Sequence, residues 1–285
     1  MRGCAHAAVR RLACFVRPRE ASNGAVLAAG VSDVFQNEGN GMMQSGYAAP
    51  LFIVIAVLVG SCASPAPLPQ EVTSSIKRFG VVSVSADTFT RQYVGLVVFT
   101  NEVDRKDIAA WELDNTYAEQ VGQTASAMLR AVYVPAPYST SEFSKVNDVN
   151  GIPNWAKIEE AAKGYCGANR LDAILVLAKQ KRTSPGIPME LASLGILSRI
   201  TWANLYYSAQ VGLLDCATGK LLASRVVDSG GDLRIPWIAL PREVGAQPVA
   251  QWDATTEADI KSKLTGLPSS AWDRTLRTLI AAPKQ

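Results

Sequence analysis

Two cysteines in the second half of the chain, Cys166 and Cys216, are spaced so that they could form a disulfide. Such a bond would close a loop of about fifty residues and stabilise the fold by about 3–4 kcal/mol on a chain-entropy estimate. Disulfides persist in oxidising compartments, so a bonded pair would indicate a protein outside the cytosol. The alternative is two unpaired cysteines that pack as small hydrophobic side chains.

Histidine chemistry is nearly absent from the sequence, because the only histidine, His6, lies within the first ten residues. If that segment is removed, no imidazole remains to activate a serine or cysteine nucleophile or to bind zinc. The chain also lacks the GxSxG, SxxK, Walker and GxGxxG patterns. We therefore expect no catalytic residue, no metal site and no cofactor. A glycosidase-type pair of carboxylates stays open, because such pairs come from distant parts of a chain.

A third cysteine, Cys62, follows nine consecutive apolar residues, Leu51–Val59. This run is too short to cross a bilayer, and its length is typical of the apolar region of a secretory signal. Val59-Gly60-Ser61-Cys62 resembles a bacterial lipobox, in which a peptidase cleaves before the cysteine and acyl chains are attached to it. The resemblance implies lipidation of Cys62, and Ala63 in the next position implies the outer membrane. The alternative is a core strand that ends at a buried free cysteine.

The residues after Cys62, ASPAPLPQEVTSS, are rich in Pro, Ser and Ala and have no periodicity, which is typical of an extended tether. We therefore divide the chain into a leader (1–61), a flexible tether (62–75) and a single α/β periplasmic domain (76–285). Translation from Met42 or Met43 would make residues 1–41 a mis-assigned start. Alternatively, the Arg-rich beginning is an organellar transit peptide. A soluble protein with an intact N-terminus is the third interpretation.

The domain alternates strand and helix patterns. IKRFGVVSVSA and RQYVGLVVFTN predict a strand pair, and LDAILVLA predicts a strand buried on both faces. Helix starts are predicted at Thr116, Asn154, Thr256 and Ser270 from their capping residues. NLYYSAQVGLLD, a CATG turn and KLLASRVVD predict a hairpin. The order indicates an α/β (α+β) fold, a single mixed sheet flanked by helices, after a disordered or cleaved leader.

Residues 170–228 carry a resemblance to known envelope proteins. RLDAILVLAK followed by AQVGLLDCATGKLLASRVVD looks like the α/β domain of the curli-secretion lipoprotein family. Similar patterns occur in the N-terminal domain of the TolB type and in lipoprotein activators of peptidoglycan synthases. The first half looks more like uncharacterised bacterial envelope proteins. These relatives imply an α/β fold and an envelope location, and they supply no catalytic residues.

The segment Thr183–Ala203 is longer than a connection between strands requires and is rich in apolar residues. Apolar loops often serve as lids or partner surfaces. The alternative is a short helix packed on the core. The candidate partner surface comprises Ile187, Met189, Leu191, Leu194, Ile196, Leu197 and Trp202.

Glu102, Asp104 and Asp107 form an acidic cluster, but the further oxygen ligands, central Gly and terminal Glu of a calcium loop do not follow them. We expect a solvated loop at this point. From Cys62 onward the chain carries 28 − 5 = 23 basic and 25 − 3 = 22 acidic residues. This near-neutral balance gives no electrostatic reason to expect nucleic acid or anionic lipid as a partner.

These features predict a non-catalytic binding or assembly module of the bacterial cell envelope, anchored at Cys62 to the outer membrane and facing the periplasm. Its expected partner is an unidentified envelope protein. The alternative is a periplasmic hydrolase that uses carboxylates to cleave cell-wall glycan. An enzyme should bring carboxylates with raised pKa values into a cleft, whereas a binding module should expose an apolar patch.

Overall fold

Twelve strands and six α-helices make up the part of the chain that this computed structural model describes: residues 67–96, 100–139, 142–143, 152–183, 190–229 and 236–280. The strands are β1 (Arg78–Val84), β2 (Thr88–Tyr93), β3 (Glu102–Asp107), β4 (Val132–Tyr133), β5 (Ala173–Lys179), β6 (Arg182–Thr183), β7 (Glu190–Leu191), β8 (Leu194–Arg199), β9 (Trp202–Tyr207), β10 (Ala209–Asp215), β11 (Lys220–Val226) and β12 (Trp237–Leu240). The helices are α1 (Gln70–Ser75), α2 (Leu113–Leu129), α3 (Trp155–Asn169), α4 (Arg242–Ala246), α5 (Ala254–Gly266) and α6 (Ser269–Ile280).

Ten of these strands form two mixed five-stranded sheets. The first sheet has the order β11-β10-β5-β1-β4 and the second has the order β12-β9-β8-β2-β3, while β6 and β7 form a separate ribbon. In the first sheet β1 is parallel to β4 and β5, and in the second β2 is parallel to β8; the other pairs are antiparallel. The predicted α/β class with flanking helices is confirmed. The strands are divided between two sheets instead of lying in one, and β1 and β2 do not pair with each other.

The two sheets meet along one line, which we call the bend. In the first sheet β10, β5 and β1 are neighbours in that order. In the second sheet the strands to which they connect, β9, β8 and β2, are neighbours in the same order. Ser208 alone separates β9 from β10, and Ser85–Asp87 separate β1 from β2. The third connection, from β5 to β8, is fixed by Ser193. Its Oγ accepts from Gln180 N at 2.8 Å, and its carbonyl oxygen accepts from Ser208 N at 2.5 Å. Two strands therefore continue directly from one sheet to the other, and the third connection runs from β5 to β8 by way of the β6–β7 ribbon.

This arrangement explains why NLYYSAQVGLLD resembles one strand in the sequence. Its residues continue in the same direction through β9 and β10, but Ser208 between them belongs to neither ladder. The hairpin of β10 and β11 around the CATG turn is confirmed. There, Asp215 Oδ2 accepts from Thr218 Oγ1 at 2.6 Å.

Helices cover both faces of the first sheet. Helices α2, α5 and α6 share the larger core with inward-facing residues of both sheets. This core includes Phe79, Phe89 and Ile196 from the sheets and Trp272 from α6. Helix α3 forms a second core on the opposite face of the first sheet, and α4 packs on β8 and β9 of the second sheet. Strand β5 is buried on both faces, as its continuous apolar sequence predicts. No helix among the described residues is long and apolar enough to cross a membrane.

The ends of the helices follow local capping, which the sequence predicts only in part. Asn154 caps α3 as expected, since its side chain accepts from Lys157 N. The predicted starts at Thr116 and Thr256 are wrong. Helix α2 begins after Glu112, and α5 is capped by Asp253, which accepts from Thr256 N at 2.7 Å. In both cases a residue that resembles a cap lies in the first turn.

Part of the expected flexible tether is structured. Residues 70–75 form helix α1, and Leu68 N donates to Leu279 O of α6 at 3.2 Å. Leu68 also packs against the larger core. The folded part of the chain therefore begins before residue 76, while Cys62 lies outside the described residues.

Gly195 of β8 lies against the backbone of β2, so that an added side chain would overlap the Thr90 carbonyl oxygen. We expect Gly195→Ala to lower the free energy of unfolding by about 2 kcal/mol, because a backbone atom in a sheet ladder cannot move aside. Gly164→Ala in α3 is the matched control, with no atom within 4 Å of the new methyl group. This substitution should instead stabilise the protein by about 0.5–1 kcal/mol through helix propensity. Urea unfolding measures both, and equal effects would contradict the close approach.

Candidate functional site

Asp114, in the first turn of α2, lies against the bend. Its Oδ1 accepts from Ser83 Oγ at 2.5 Å, from Ser85 N at 2.9 Å and from Ala86 N at 3.1 Å. Ser85 and Ala86 belong to the crossing from β1 to β2, where backbone N–H groups have left the ladder of the first sheet. The carboxylate supplies the acceptor that these groups need away from water.

Hydroxyl groups extend this network into the core. Ser85 Oγ is 3.0 Å from Ser83 Oγ and 2.7 Å from the hydroxyl of Tyr207, and both serines are buried. On the other side, the hydroxyl of Tyr138 accepts from Ser83 N at 3.1 Å and donates to Ser83 O at 2.9 Å. One carboxylate, two serines and two tyrosines are thus joined at the carboxyl end of β1.

Burial sets the protonation of this network. Desolvation raises the pKa of Asp114, and the charge of Asp87 adds to the effect, whereas the hydrogen bonds from Ser83, Ser85 and Ala86 oppose it. Burial also raises the pKa of Tyr207 well above its ordinary value. The Tyr207 hydroxyl therefore remains protonated at neutral pH, and either it or Ser85 Oγ donates the hydrogen bond between them.

A cavity of about 610 Å³ opens beside Asp114, between the start of α2 and strand β3. Arg105, Lys106, Asp87, Asp107 and Glu112 contribute charged side chains of both signs to its lining. Much of this charge is already engaged. Asp87 pairs with Lys179, Lys106 pairs with Glu257, and Asp107 Oδ1 accepts from Ala109 N at 2.9 Å.

These ion pairs and hydrogen bonds limit the reactions that the side chains lining this cavity could catalyse. Ser83 Oγ and Asp114 form a short hydroxyl–carboxylate contact, but no described histidine connects them as a general base. Glycoside hydrolysis needs two carboxyl groups that face the scissile bond. Here Asp87, Asp107 and Asp114 each direct an oxygen at the protein's own donors. This geometry fits a structural network better than a catalytic pair.

A second charged cluster surrounds Arg91 of β2, whose side chain is only 1% exposed. Its Nε donates to Gly245 O at 2.8 Å and its Nη2 donates to Ala246 O at 2.7 Å, at the C-terminal end of α4. Its Nη1 contacts Asp104 at 2.7 Å and Glu102 at 3.1 Å. Nη2 also donates to Glu102 at 3.2 Å. These five contacts compensate the burial of the guanidinium group and tie α4 to both β2 and β3.

This cluster corrects the expectation of a solvated loop at Glu102, Asp104 and Asp107. The three residues belong to edge strand β3, and two of them neutralise Arg91. The sequence could not show this pairing, because Arg91 lies on β2 and the acids lie on the partner strand β3. Within the described ranges no group of three or more His, Cys, Asp or Glu side chains is placed to hold a metal ion.

Cys166 and Cys216 form a disulfide that joins the last turn of α3 to the turn between β10 and β11. Its position next to β5 links the outer helix to the sheet that it covers. Both cysteines line a cavity of about 600 Å³ at the amino end of β5.

The described part of the expected partner surface is not an exposed patch. Leu191, Leu194, Ile196 and Leu197 are buried, because they lie in strands β7 and β8 and not in a surface loop. Trp202, at the start of β9, is half-buried against a small cluster that includes Leu191 and Leu197. Ile187 and Met189 lie outside the described residues. In this segment apolar residues alternate little with polar ones, which is compatible with either a loop or a strand. The structure shows a strand, β8, which is buried in the second sheet.

Sequence reasoning missed Asp114, Ser83, Ser85, Tyr138 and Tyr207. The available signal was SVSA at the end of an apolar strand, since small polar residues inside a buried run require hydrogen-bond partners. Their partners come from three distant segments, so the sequence does not reveal them.

Comparison with known proteins gave structural neighbours only. No family model matches the sequence, and no curated protein matches it. A variant of the PelC dodecamer from Paraburkholderia phytofirmans is 9% identical over 74% of this chain and 93% of its own, with a TM-score of 0.29. Lipoprotein GNA1162 from Neisseria meningitidis is 15% identical over 67% of this chain and 96% of its own, with a TM-score of 0.26. The LpoB C-terminal domain from Salmonella enterica is 12% identical over 55% of this chain and 91% of its own, with a TM-score of 0.21.

The raised pKa of Asp114 gives a prediction with a definite sign. A carboxyl group whose pKa is higher in the folded than in the unfolded state, where it is about 4, stabilises the fold fully below the unfolded value. This contribution is lost as the pH rises through the folded value. Asp114→Asn resembles the neutral form and keeps an oxygen acceptor, so its unfolding free energy at pH 7 should lie within about 1 kcal/mol of the parent or above it. Asp114→Ala should cost about 3 kcal/mol, because it leaves donors at the bend without an acceptor.

Urea unfolding between pH 4 and pH 7 tests this pair of variants. The difference between the parent and Asp114→Asn should shift in favour of Asn as the pH rises. Asp273→Asn on the surface of α6, where Asp273 pairs with Arg277, is the control and should change stability by less than about 0.5 kcal/mol. An Asn variant as unstable as the Ala variant at every pH would contradict the expected effect of burial on the Asp114 carboxyl group.

The disulfide closes a 50-residue loop. Replacing both Cys166 and Cys216 by Ala should lower the unfolding free energy by about 4 kcal/mol on the chain-entropy estimate. Intact mass measured after thiol alkylation should show two more labels with prior reduction than without it, whatever the state of Cys4, Cys14 and Cys62. An equal number of labels with and without reduction, or an unchanged unfolding midpoint after reduction, would contradict a structural bond.

Proposed function

We propose that this chain is a lipid-anchored, non-catalytic binding or assembly module of the bacterial cell envelope. In this proposal residues 1–61 are a leader that is removed, Cys62 carries the acyl chains, and the folded domain lies in the periplasm at the outer membrane. The observation that carries the proposal is the disulfide between Cys166 and Cys216. A bond of this kind is expected where the compartment is oxidising, as the bacterial periplasm is.

The arrangement of the chain near the proposed anchor supports the same conclusion. The lipobox-like residues 59–62 are followed by a short Pro-rich segment, and the first described backbone contact is that of Leu68 with Leu279. A folded domain that begins this soon after a lipidated cysteine would be held close to the bilayer. Two or more acyl chains make such attachment stable.

The side chains of the candidate site support a non-catalytic role. Asp114 and the buried serines satisfy the backbone at the bend, and Arg91 with its acids joins α4 to the second sheet. The first cluster stabilises the connection between the two sheets, and the second fixes α4 on the second sheet. A binding or assembly partner would then be recognised by the outer surface of a rigid two-sheet body.

A carboxylate-dependent hydrolase of cell-wall glycan is the second candidate, and the cavity beside Asp114 favours it. A carboxyl group with a raised pKa in a cavity is a common feature of general acids. In that case Asp114→Asn would abolish the release of soluble sugar from purified cell-wall glycan while the protein remained folded. No release by the parent protein would eliminate this candidate.

Lipidation can be tested directly in the native host. The intact mass of the membrane-bound protein should equal residues 62–285 plus acyl chains. Cys62→Ser should abolish acylation and leave the unprocessed precursor, because the lipobox has no other cysteine. Cys14→Ser is the matched control, since Cys14 lies in the part expected to be removed. A parent mass that retains residues 51–61 without acyl chains would refute the proposed anchor.

A further inference from the structure

The amino ends of three parallel strands lie at the same end of the molecule as the connection to Cys62. Strands β1, β4 and β5 are parallel neighbours, so they all begin at one edge of the first sheet. Leu68, which follows Cys62 by six residues, is fixed to Leu279 in the last turn of α6 at this edge. Six extended residues span at most about 20 Å. If Cys62 is acylated, this edge, which we call the anchor edge, must lie close to the bilayer.

Four basic side chains without an acidic partner lie at the anchor edge. Lys77 precedes β1 and Arg78 begins it, while Arg130 and Arg170 follow the last residues of α2 and α3. Among the described residues none of the four lies within ion-pair distance of a carboxylate. Lys220 at the start of β11 lies at the same edge and pairs with Glu159. Among the described residues elsewhere, Lys106, Lys179, Lys181 and Lys263 form ion pairs, whereas Arg105 and Lys157 do not.

The acidic residues of this edge are occupied by other donors. Asp172 Oδ2 accepts from Lys77 N at 2.8 Å and from Arg78 N at 2.9 Å. Asp215 closes the turn before β11 through Thr218. Glu71 of the short helix α1 is the other carboxyl group beside these strands. Two of the acids therefore point at the protein's own backbone and turn. Lys77 Nζ donates to Ser74 O at 2.7 Å and Arg78 Nε donates to Arg170 O at 3.3 Å, and neither contact neutralises a positive charge.

Two grooves flank α1 at the same edge. One, of about 420 Å³, is lined by Lys77 and Arg130 together with apolar side chains of Leu68, Met128 and Ile280. The other, of about 600 Å³, carries Arg170 beside Val72, Leu171 and Leu222, and it also contains Asp172 and Asp215. Each groove combines an apolar wall with a cation that has no carboxylate partner.

We propose that the anchor edge is a docking surface for anionic phospholipid headgroups of the membrane that holds the acyl chains. Lys77, Arg78, Arg130 and Arg170 contact lipid phosphates, and the second sheet points away from the bilayer. This inference rests on the proposed anchor at Cys62. It adds an orientation that acylation alone does not impose, because a lipidated tether without surface contacts leaves the domain free to rotate.

The test uses the mature, acylated protein in phosphatidylcholine vesicles with or without 30 mol % phosphatidylglycerol. A fluorophore is attached to Val132→Cys, whose native side chain is 60% exposed at the anchor edge, or to Leu96→Cys, which is 87% exposed beyond β2 at the far end of the second sheet. A quencher is carried on the lipid headgroups. We expect quenching at position 132 to exceed that at position 96 at least threefold, and to fall at high salt because screening weakens the attraction.

Charge variants separate lipid contact from simple tethering. The pair Arg130→Gln with Arg170→Gln should reduce quenching at position 132 at least twofold in anionic vesicles. The control pair is Arg105→Gln with Lys157→Gln, which removes equal charge from exposed residues of β3 and of the opposite end of α3. This pair should have no effect. Unfolding midpoints are compared in parallel, because Arg130 and Arg170 also complement the negative ends of their helices.

The intact mass of the same sample distinguishes the two proposals. Acylated protein with equal quenching at positions 96 and 132 overturns the docking surface and leaves the anchor in place. The same holds if quenching at 132 is insensitive to salt and to the Arg130 and Arg170 variants. Protein that carries no acyl chains and does not sediment with the vesicles overturns the anchor and the docking surface together.

Discussion

The rest of this structure depends on how the backbone is satisfied where three connections pass from one sheet to the other. A buried N–H group that leaves its ladder needs a new acceptor, and an orphaned group costs about 1–3 kcal/mol. At the crossing from β1 to β2 that acceptor is the carboxylate of Asp114, and at the crossing from β5 towards β8 it is the hydroxyl oxygen of Ser193. Because Asp114 belongs to the first turn of α2, the helix that fills the core also fixes the bend.

In the second sheet a buried charged side chain also satisfies backbone groups. Arg91 is buried, and its donors are divided between two edge-strand acids and two carbonyl oxygens at the end of α4. The helix end supplies negative potential as well as acceptors, which lowers the cost of desolvating the cation. The first sheet thus relies on a carboxyl group at a helix start and the second on a cation at a helix end.

The sequence was sufficient for elements whose cause is local. The buried strand β5, the cap at Asn154 and the hairpin of β10 and β11 follow from short patterns, and all three are present. It was insufficient where the cause is distant. Nothing in NLYYSAQVGLLD shows that Ser208 divides it between two sheets, and nothing near Leu194 or Ile196 shows that β2 buries this segment. The same holds for the site, since Asp114 and Tyr207 meet the serines of β1 only through the tertiary fold.

The hydroxyl of Tyr138 has a consequence for association between molecules. Strand β4 pairs with only the first residues of β1, so the remaining edge of β1 would offer free N–H and carbonyl groups to the strand of another chain. Tyr138 occupies both groups of Ser83 with a single oxygen atom, which accepts from one and donates to the other. A side chain thereby ends the sheet where a strand would otherwise be added. Such an edge protects against self-templated aggregation.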